Sequence, residues 1–159
     1  MYEKAVTSAY HGNYKEAMEG FKKVTEVEPT YAPAYNGWGI CLTNLSRYKD
    51  ASEKFKKATE LDPKLGKAYY NWGNALADMN DNQGAAEKFK KAAQLEPKFA
   101  PTYNGWGLAL TELGRYDEAI EKFRKAAKLN PADADKINKV IANVQKLKNE
   151  SSKKGTKKR

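Results

Sequence analysis

The chain holds one cysteine, Cys41, and one histidine, His11, in 159 residues. A lone cysteine excludes an internal disulfide framework and suits a reducing compartment. A lone histidine excludes a His-based metal site or a Ser-His-Asp triad within one chain. No apolar run approaches the roughly 18 residues that a membrane span requires. The first residues, Met1-Tyr2-Glu3-Lys4, have neither the basic flank nor the apolar core of a signal peptide. The expected location is therefore cytoplasmic.

Acidic residues are scarce in one place only. Residues 134–159 hold nine Lys and Arg against Asp135 and Glu150, so +7 of the formal +9 sits there. Residues 1–133 carry 20 basic and 18 acidic side chains and are close to neutral. The excess does not describe a nucleic-acid-binding body.

What the sequence has in abundance is repetition. "YNGWG" stands at Tyr35–Gly39 and again at Tyr103–Gly107, 68 residues on, with "YYNWG" midway at Tyr69–Gly73. Pro29, Pro63, Pro97 and Pro131 step by 34, as do Phe21, Phe55, Phe89 and Phe123, and Ala17, Ala51, Ala85 and Ala119. Each unit splits into two helical patterns. Tyr35, Trp38, Leu42 and Leu45 mark one apolar face, and Tyr48, Ala51, Phe55, Ala58 and Leu61 a second. Ser46-Arg47 connects them, Gly114-Arg115 does so in the fourth unit, and Asp62-Pro63 stops the second helix. Two glycines in one helical turn are costly, at roughly 0.5–1 kcal/mol each. Gly37 and Gly105 either make room for the neighbouring Trp or admit a partner's backbone.

This spacing resembles the tetratricopeptide repeat (TPR) family, whose signature is an aromatic, a Leu-Gly pair, another aromatic, then Ala, Phe and Pro within 34 residues. Tyr35, Trp38-Gly39, Leu42, Ala51, Phe55 and Pro63 supply it in the second unit. Tyr69, Trp72-Gly73, Leu76, Ala85, Phe89 and Pro97 supply it in the third, and Tyr103, Trp106-Gly107, Leu110, Ala119, Phe123 and Pro131 in the fourth. Tyr replaces the family's leading Trp, and Trp its following Leu. The first unit keeps Gly12, Tyr14, Ala17, Phe21 and Pro29, but Met1 falls at the Tyr position and Lys4-Ala5 at the Trp-Gly pair. This unit is incomplete or degenerate, and loss of upstream sequence is favoured over a relaxed cap. The resemblance implies an all-α, right-handed superhelical TPR solenoid of antiparallel helix hairpins. The expected organisation is four hairpins over 1–133, a C-terminal capping helix over 134–150 carrying Ile137, Val140, Ile141, Val144 and Leu147, and a disordered basic tail over 151–159.

Catalysis is not expected. His11 reads as an exposed turn residue beside Gly12. Cys41 aligns with Ala75 and Ala109, which points to a buried, inert thiol. Asp117-Glu118 begin a helix, where acids favour the positive end of the dipole. Neither a cofactor nor a metal is implied. The lysines of the second helices are expected to pair internally, because Glu19, Glu53, Glu87 and Glu121 precede Lys23, Lys57, Lys91 and Lys125 by four residues.

Function is expected from surface instead. Stacked hairpins form an extended concave face, and the resemblance implies that first helices line it and bind a peptide or helix. The matching positions are Pro33, Asn36, Ile40, Thr43 and Asn44 in the second unit, and Lys67, Tyr70, Asn74, Ala77 and Asp78 in the third. Pro101, Asn104, Leu108, Thr111 and Glu112 follow in the fourth, and Tyr2, Val6 and Tyr10 extend the row. The family's carboxylate clamp for chaperone C-terminal tails has no register here. It needs Lys and Asn where Asn36 and Ile40 stand, or where Tyr70 and Asn74 stand, with Gly105 in place of a further Asn. Asn36, Asn71 and Asn104 suggest amide contacts to a peptide backbone, with Asn71 one position out of phase. The predicted function is a non-catalytic protein-interaction scaffold binding an extended or helical segment. Self-assembly into a homo-oligomer is the main alternative. Contact with an anionic surface, lipid or nucleic acid, is confined to the basic tail and ranks below groove binding.

Overall fold

Phe21, Phe55, Phe89 and Phe123 are all at most 2% exposed, and the matched Ala17, Ala51, Ala85 and Ala119 are fully buried. The 34-residue period is thus a period of core contacts. The computed structural model describes the backbone of residues 1–156 and the side chains of residues 1–153. Within them lie α1 (Tyr2–Tyr10), α2 (Tyr14–Val27), α3 (Ala32–Asn44), α4 (Tyr48–Leu61), α5 (Gly66–Asp78), α6 (Asn82–Leu95), α7 (Ala100–Glu112), α8 (Tyr116–Leu129), a 3-10 turn (Pro131–Asp133) and α9 (Ala134–Thr156). No strand occurs among the described residues, and no helix there is long and apolar enough to cross a membrane. The fold class is the all-α TPR solenoid expected from the sequence.

The chain divides into two compact units, Met1–Asp81 with α1–α5 and Asn82–Arg159 with α6–α9. In the first unit α2 packs between α1 and α3, and α4 between α3 and α5. In the second, α7 packs between α6 and α8, and α9 lies on α8.

Every hairpin turn uses the same device. Gly12, Ser46, Asn80 and Gly114, each 34 residues from the next, have φ of 79°, 58°, 62° and 72°. In the second hairpin the Arg47 N–H donates to the Leu42 carbonyl at 2.9 Å, and the Ser46 N–H to the Thr43 carbonyl at 2.9 Å. This left-handed closure satisfies the last carbonyls of the first helix without a side-chain cap. Ser and Asn adopt it at two of four turns with a Cβ penalty that glycine escapes.

Each "YNGWG" glycine faces a phenyl ring. A Cβ on Gly39 would stand 2.5 Å from Phe55 of its own hairpin, and one on Gly107 2.8 Å from Phe123. A Cβ on Gly37 would stand 2.6 Å from Phe21 of the preceding hairpin, and one on Gly105 2.7 Å from Phe89. The first glycine of each pair therefore receives the previous hairpin's phenylalanine. It makes room for neither the tryptophan nor a partner. The first hairpin makes a different close approach: Ala5 stands at the Gly39 position, and a Cβ on Gly20 would stand 2.8 Å from the Ala5 Cβ. There the small residue sits on the second helix.

Two expectations are corrected. The last helix does not end at 150 but runs to Thr156, so residues 151–156 of the expected disordered tail are helical, while 157–159 lie outside the described residues. No proline interrupts the segment, Ser151 and Ser152 donate to the Lys148 carbonyl at 2.9 and 3.0 Å, and lysines near a helix C-terminus favour its dipole. None of the four expected pairs, Glu19–Lys23, Glu53–Lys57, Glu87–Lys91 and Glu121–Lys125, is among the ion pairs of the described residues. Glu121 meets Lys122 at 2.9 Å, and Lys125 lies 5.9 Å from the Tyr103 ring centroid.

Candidate functional site

The predicted face of the Met1–Asp81 unit is built from α3 and α5, which touch directly, with α1 beside α3. Asn36 and Ile40 on α3, and Tyr70 and Asn74 on α5, are half-buried; Asn44, Lys67 and Asp78 are exposed. Two polar side chains of α3 turn back on their own helix. Thr43 Oγ1 donates to the Gly39 carbonyl at 3.1 Å, and Asn44 Nδ2 to the Ile40 carbonyl at 2.9 Å. The single donor of Thr43 and one of the two of Asn44 are thus committed to α3 itself.

One bond joins the two helices across this face. Asn71 Nδ2 donates to Asn36 Oδ1 at 3.1 Å, from one half-buried side chain to another. The bond uses one acceptor and one donor, and among the described residues no further hydrogen bond is made by the Asn36 amide NH2 or the Asn71 carbonyl oxygen. A peptide group offers one N–H and one C=O, so this pair is its complement. The one-residue offset of Asn71 is what carries its amide toward Asn36, where an in-phase Tyr70 could not supply a carboxamide.

In the Asn82–Arg159 unit the predicted residues lie on α7. Asn104 and Thr111 are half-buried, Glu112 is exposed, and Leu108 is 50% exposed. Thr111 Oγ1 donates to the Gly107 carbonyl at 2.9 Å, repeating Thr43. Asn104 faces a cleft whose floor is Ala100, Pro101, Ala126, Ile137 and Val140 and whose rim is Asn130, Asp133 and Lys136. The rim is internally paired: Asn130 Nδ2 donates to Asp133 Oδ2 at 2.7 Å, and Lys136 Nζ lies 3.4 Å from Asp133 Oδ1. Sequence reasoning missed this rim. The i, i+3 steps from Asn130 to Asp133 to Lys136 were the available signal.

The opposite edges of the first helices carry a different contact. Lys54 Nζ sits 4.2 Å from the Trp38 ring centroid, and Lys122 Nζ 4.5 Å from that of Trp106. These lysines are structural partners of the indoles, at about 0.5–1 kcal/mol each where partly exposed. Trp72 Nε1 donates to Ser52 Oγ at 2.6 Å, so the third indole has a hydrogen-bond partner.

Reactive groups are few. Cys41 is fully buried, and burial pushes its thiol up to about 11. His11 is exposed, its Nδ1 2.8 Å from the Thr7 carbonyl. Among the described residues no group of three His, Cys, Asp or Glu side chains converges to hold a metal.

Residues 66–99 and 100–133 each match the family model of the tetratricopeptide repeat. The same phase, turn and Phe–Gly contact extend through residues 1–61, so the first half of the chain repeats the unit that the family model matches over 66–133. Among solved structures it is similar to MamA at 25% identity, covering 94% of this chain and 82% of that one, with a TM-score of 0.79. It is similar to a MamA structure (41-end) from Desulfovibrio magneticus RS-1 at 24% identity, covering 99% and 90%, with a TM-score of 0.83. It also resembles YrrB, described as a TPR protein with an unusual peptide-binding site, at 24% identity, covering 82% and 68%, with a TM-score of 0.72. At these identities the likeness is one of fold. No curated protein sequence matches the chain.

Proposed function

We propose that the chain is a non-catalytic scaffold that holds an extended protein segment along α3 and α5. The observation that carries this reading is the Asn71–Asn36 bond, which leaves one amide donor and one amide acceptor open on a half-buried face. A segment laid across them satisfies both with its own backbone. Tyr70, Ile40 and Asn74 supply the flanking contact surface, and α7 with Asn104 and Leu108 offers a second, more apolar face. The buried thiol of Cys41 favours a cytoplasmic setting.

An array of immobilised extended peptides tests this reading. Wild-type chain binds a subset, and Asn36→Ala with Asn71→Ala loses those peptides while its helical circular dichroism is unchanged. Equal binding by the double variant refutes the assignment. A second reading, self-association through α1, rests on the exposure of Met1, Val6 and Tyr10, the last at 89%. Light scattering over a concentration series decides it, because a strictly monomeric chain leaves α1 without that role.

A further inference from the structure

The first hairpin carries a cleft of about 350 Å³ between α1 and α2, lined among others by Lys4, Ala5, Ser8, Glu16, Glu19 and Gly20. Trp38, Leu42, Asp50, Glu53 and Lys54 stand 34 residues on from five of these and together line a surface cleft of the second hairpin. The two clefts are the same place in the repeat. In the second hairpin an indole fills it: Trp38 is half-buried, and Lys54 Nζ lies 4.2 Å from its ring centroid. Trp106 and Lys122 repeat the arrangement at 4.5 Å in the fourth.

The first hairpin has neither member of that pair in place. Lys4 stands at the Trp38 position and Gly20 at the Lys54 position, so the first helix brings the cation and neither position brings a ring. Gly20 has no side chain to cover the space, and a Cβ there would stand 2.8 Å from the Ala5 Cβ. Ser8 in place of Leu42 removes further apolar bulk. Lys4, Glu16 and Glu19 are exposed, and none of them is in an ion pair of the described residues.

We propose that this cleft receives the tryptophan side chain of a partner protein segment, with the Lys4 ammonium over the ring. The template is internal, because the same helical frame holds an indole beneath a lysine in two other hairpins. Tryptophan is the best ring for such a cation, and its indole N–H is a donor that the Glu16 and Glu19 carboxylates accept. An aliphatic side chain offers the ammonium no π face and the glutamates no donor. Lys4 and Lys23 balance Glu16 and Glu19 around the cleft, so it selects a ring and not an ion. The volume falls within the roughly 300–1,000 Å³ of ligand clefts. All the lining residues belong to α1 and α2, so the proposal does not depend on the amide pair of α3 and α5.

Titration of the 15N-labelled full chain with N-acetyl-tryptophanamide tests this, with N-acetyl-leucinamide as a second arm. The backbone amides of Ala5, Ser8 and Gly20 should shift and saturate with the first probe and move far less with the second. Lys4→Gln should weaken binding about two- to fivefold, the share of an exposed cation over a ring. Lys4→Trp, Ala5→Gly and Gly20→Lys together rebuild the second hairpin's own pair. That variant should lose the probe while its helical circular dichroism is kept. Asn36→Ala with Asn71→Ala should bind the probe as wild type does, so this test and the peptide array fail separately. Unmoved Ala5, Ser8 and Gly20 amides at the probe's solubility limit, equal affinity for the leucine probe, unchanged affinity in Lys4→Gln, or full binding by the rebuilt hairpin each overturns the proposal. So does a shift of the same amides on raising chain concentration alone, which would put a second copy in the cleft.

Discussion

The ring of Phe21 occupies the space in which a Cβ on Gly37 would stand, 2.6 Å from its Cε1 and Cζ atoms. Phe89 and Gly105 repeat the relationship at 2.7 Å in the other unit. A helix-interior glycine costs roughly 0.5–1 kcal/mol, whereas burying a phenyl ring contributes about 1.5–3 kcal/mol. The exchange favours the glycine. Gly37→Ala should therefore destabilise the chain by about 1–3 kcal/mol in urea unfolding, against alanine's better helix propensity. Phe21→Leu in the same chain should make the alanine less harmful than it is alone, a coupling that a double-mutant cycle reads directly.

The turns separate backbone strain from crowding. A Cβ on Gly114 would meet nothing within 4 Å, yet its φ is +72°. Gly114→Ala should cost about 1 kcal/mol from the left-handed conformation alone. Ser46 has φ 58° at the matching turn, so Ser46→Gly should raise stability by a similar amount. Thermal unfolding of the two variants should move in opposite directions.

Thr102 is fully buried on α7, and its hydroxyl has no hydrogen-bond partner. The aligned positions in the other hairpins are Ala34 and Ala68, both fully buried. Thr102→Val keeps the shape and removes the unpaired hydroxyl, which should stabilise the chain by about 1 kcal/mol. A lower urea midpoint for Thr102→Val would contradict the placement of this side chain.

Cys41 gives a pH signature. Burial favours the neutral thiol and holds its pKa at about 11, above the ordinary 9.0. An acid whose folded pKa is raised contributes nothing extra below its unfolded pKa. Stability is then lost as pH climbs from about 9 towards 11, because only the unfolded chain ionises readily there. Cys41→Ala, which copies Ala75 and Ala109, should show a shallower loss over that window. A thiol reagent at neutral pH should label wild-type chain only after denaturant is added.

Much of this was readable from residues because the repeat is local. Phe, Ala and Pro recur at one interval, each hairpin needs only its own two helical stripes, and the turn residues fall in step. The contacts between hairpins were harder. Gly37 owes its identity to a ring sixteen positions upstream on another helix, and no periodicity within α3 names it. Asn71 looked like a break in an asparagine row, yet its offset is what lets it bond Asn36. The Glu-to-Lys spacing predicts pairs along one helix for Lys57 and Lys125, and it says nothing of Lys54 and Lys122, which lie over indoles of the adjoining helix, contacts that only packing brings about. The end of α9 was misjudged because composition alone marks a lysine-serine stretch as unstructured, while an established helix can continue through it.

On the proposed reading, the Asn36 amide NH2 and the Asn71 carbonyl oxygen receive a peptide backbone. Side-chain amide resonances of 15N-labelled chain, followed while a peptide selected from the array is added, test it most directly. The Asn36 NH2 signals should shift downfield and saturate with the peptide, while those of Asn44, bonded to its own helix, stay in place. Saturating peptide with unmoved Asn36 and Asn71 amides would contradict it.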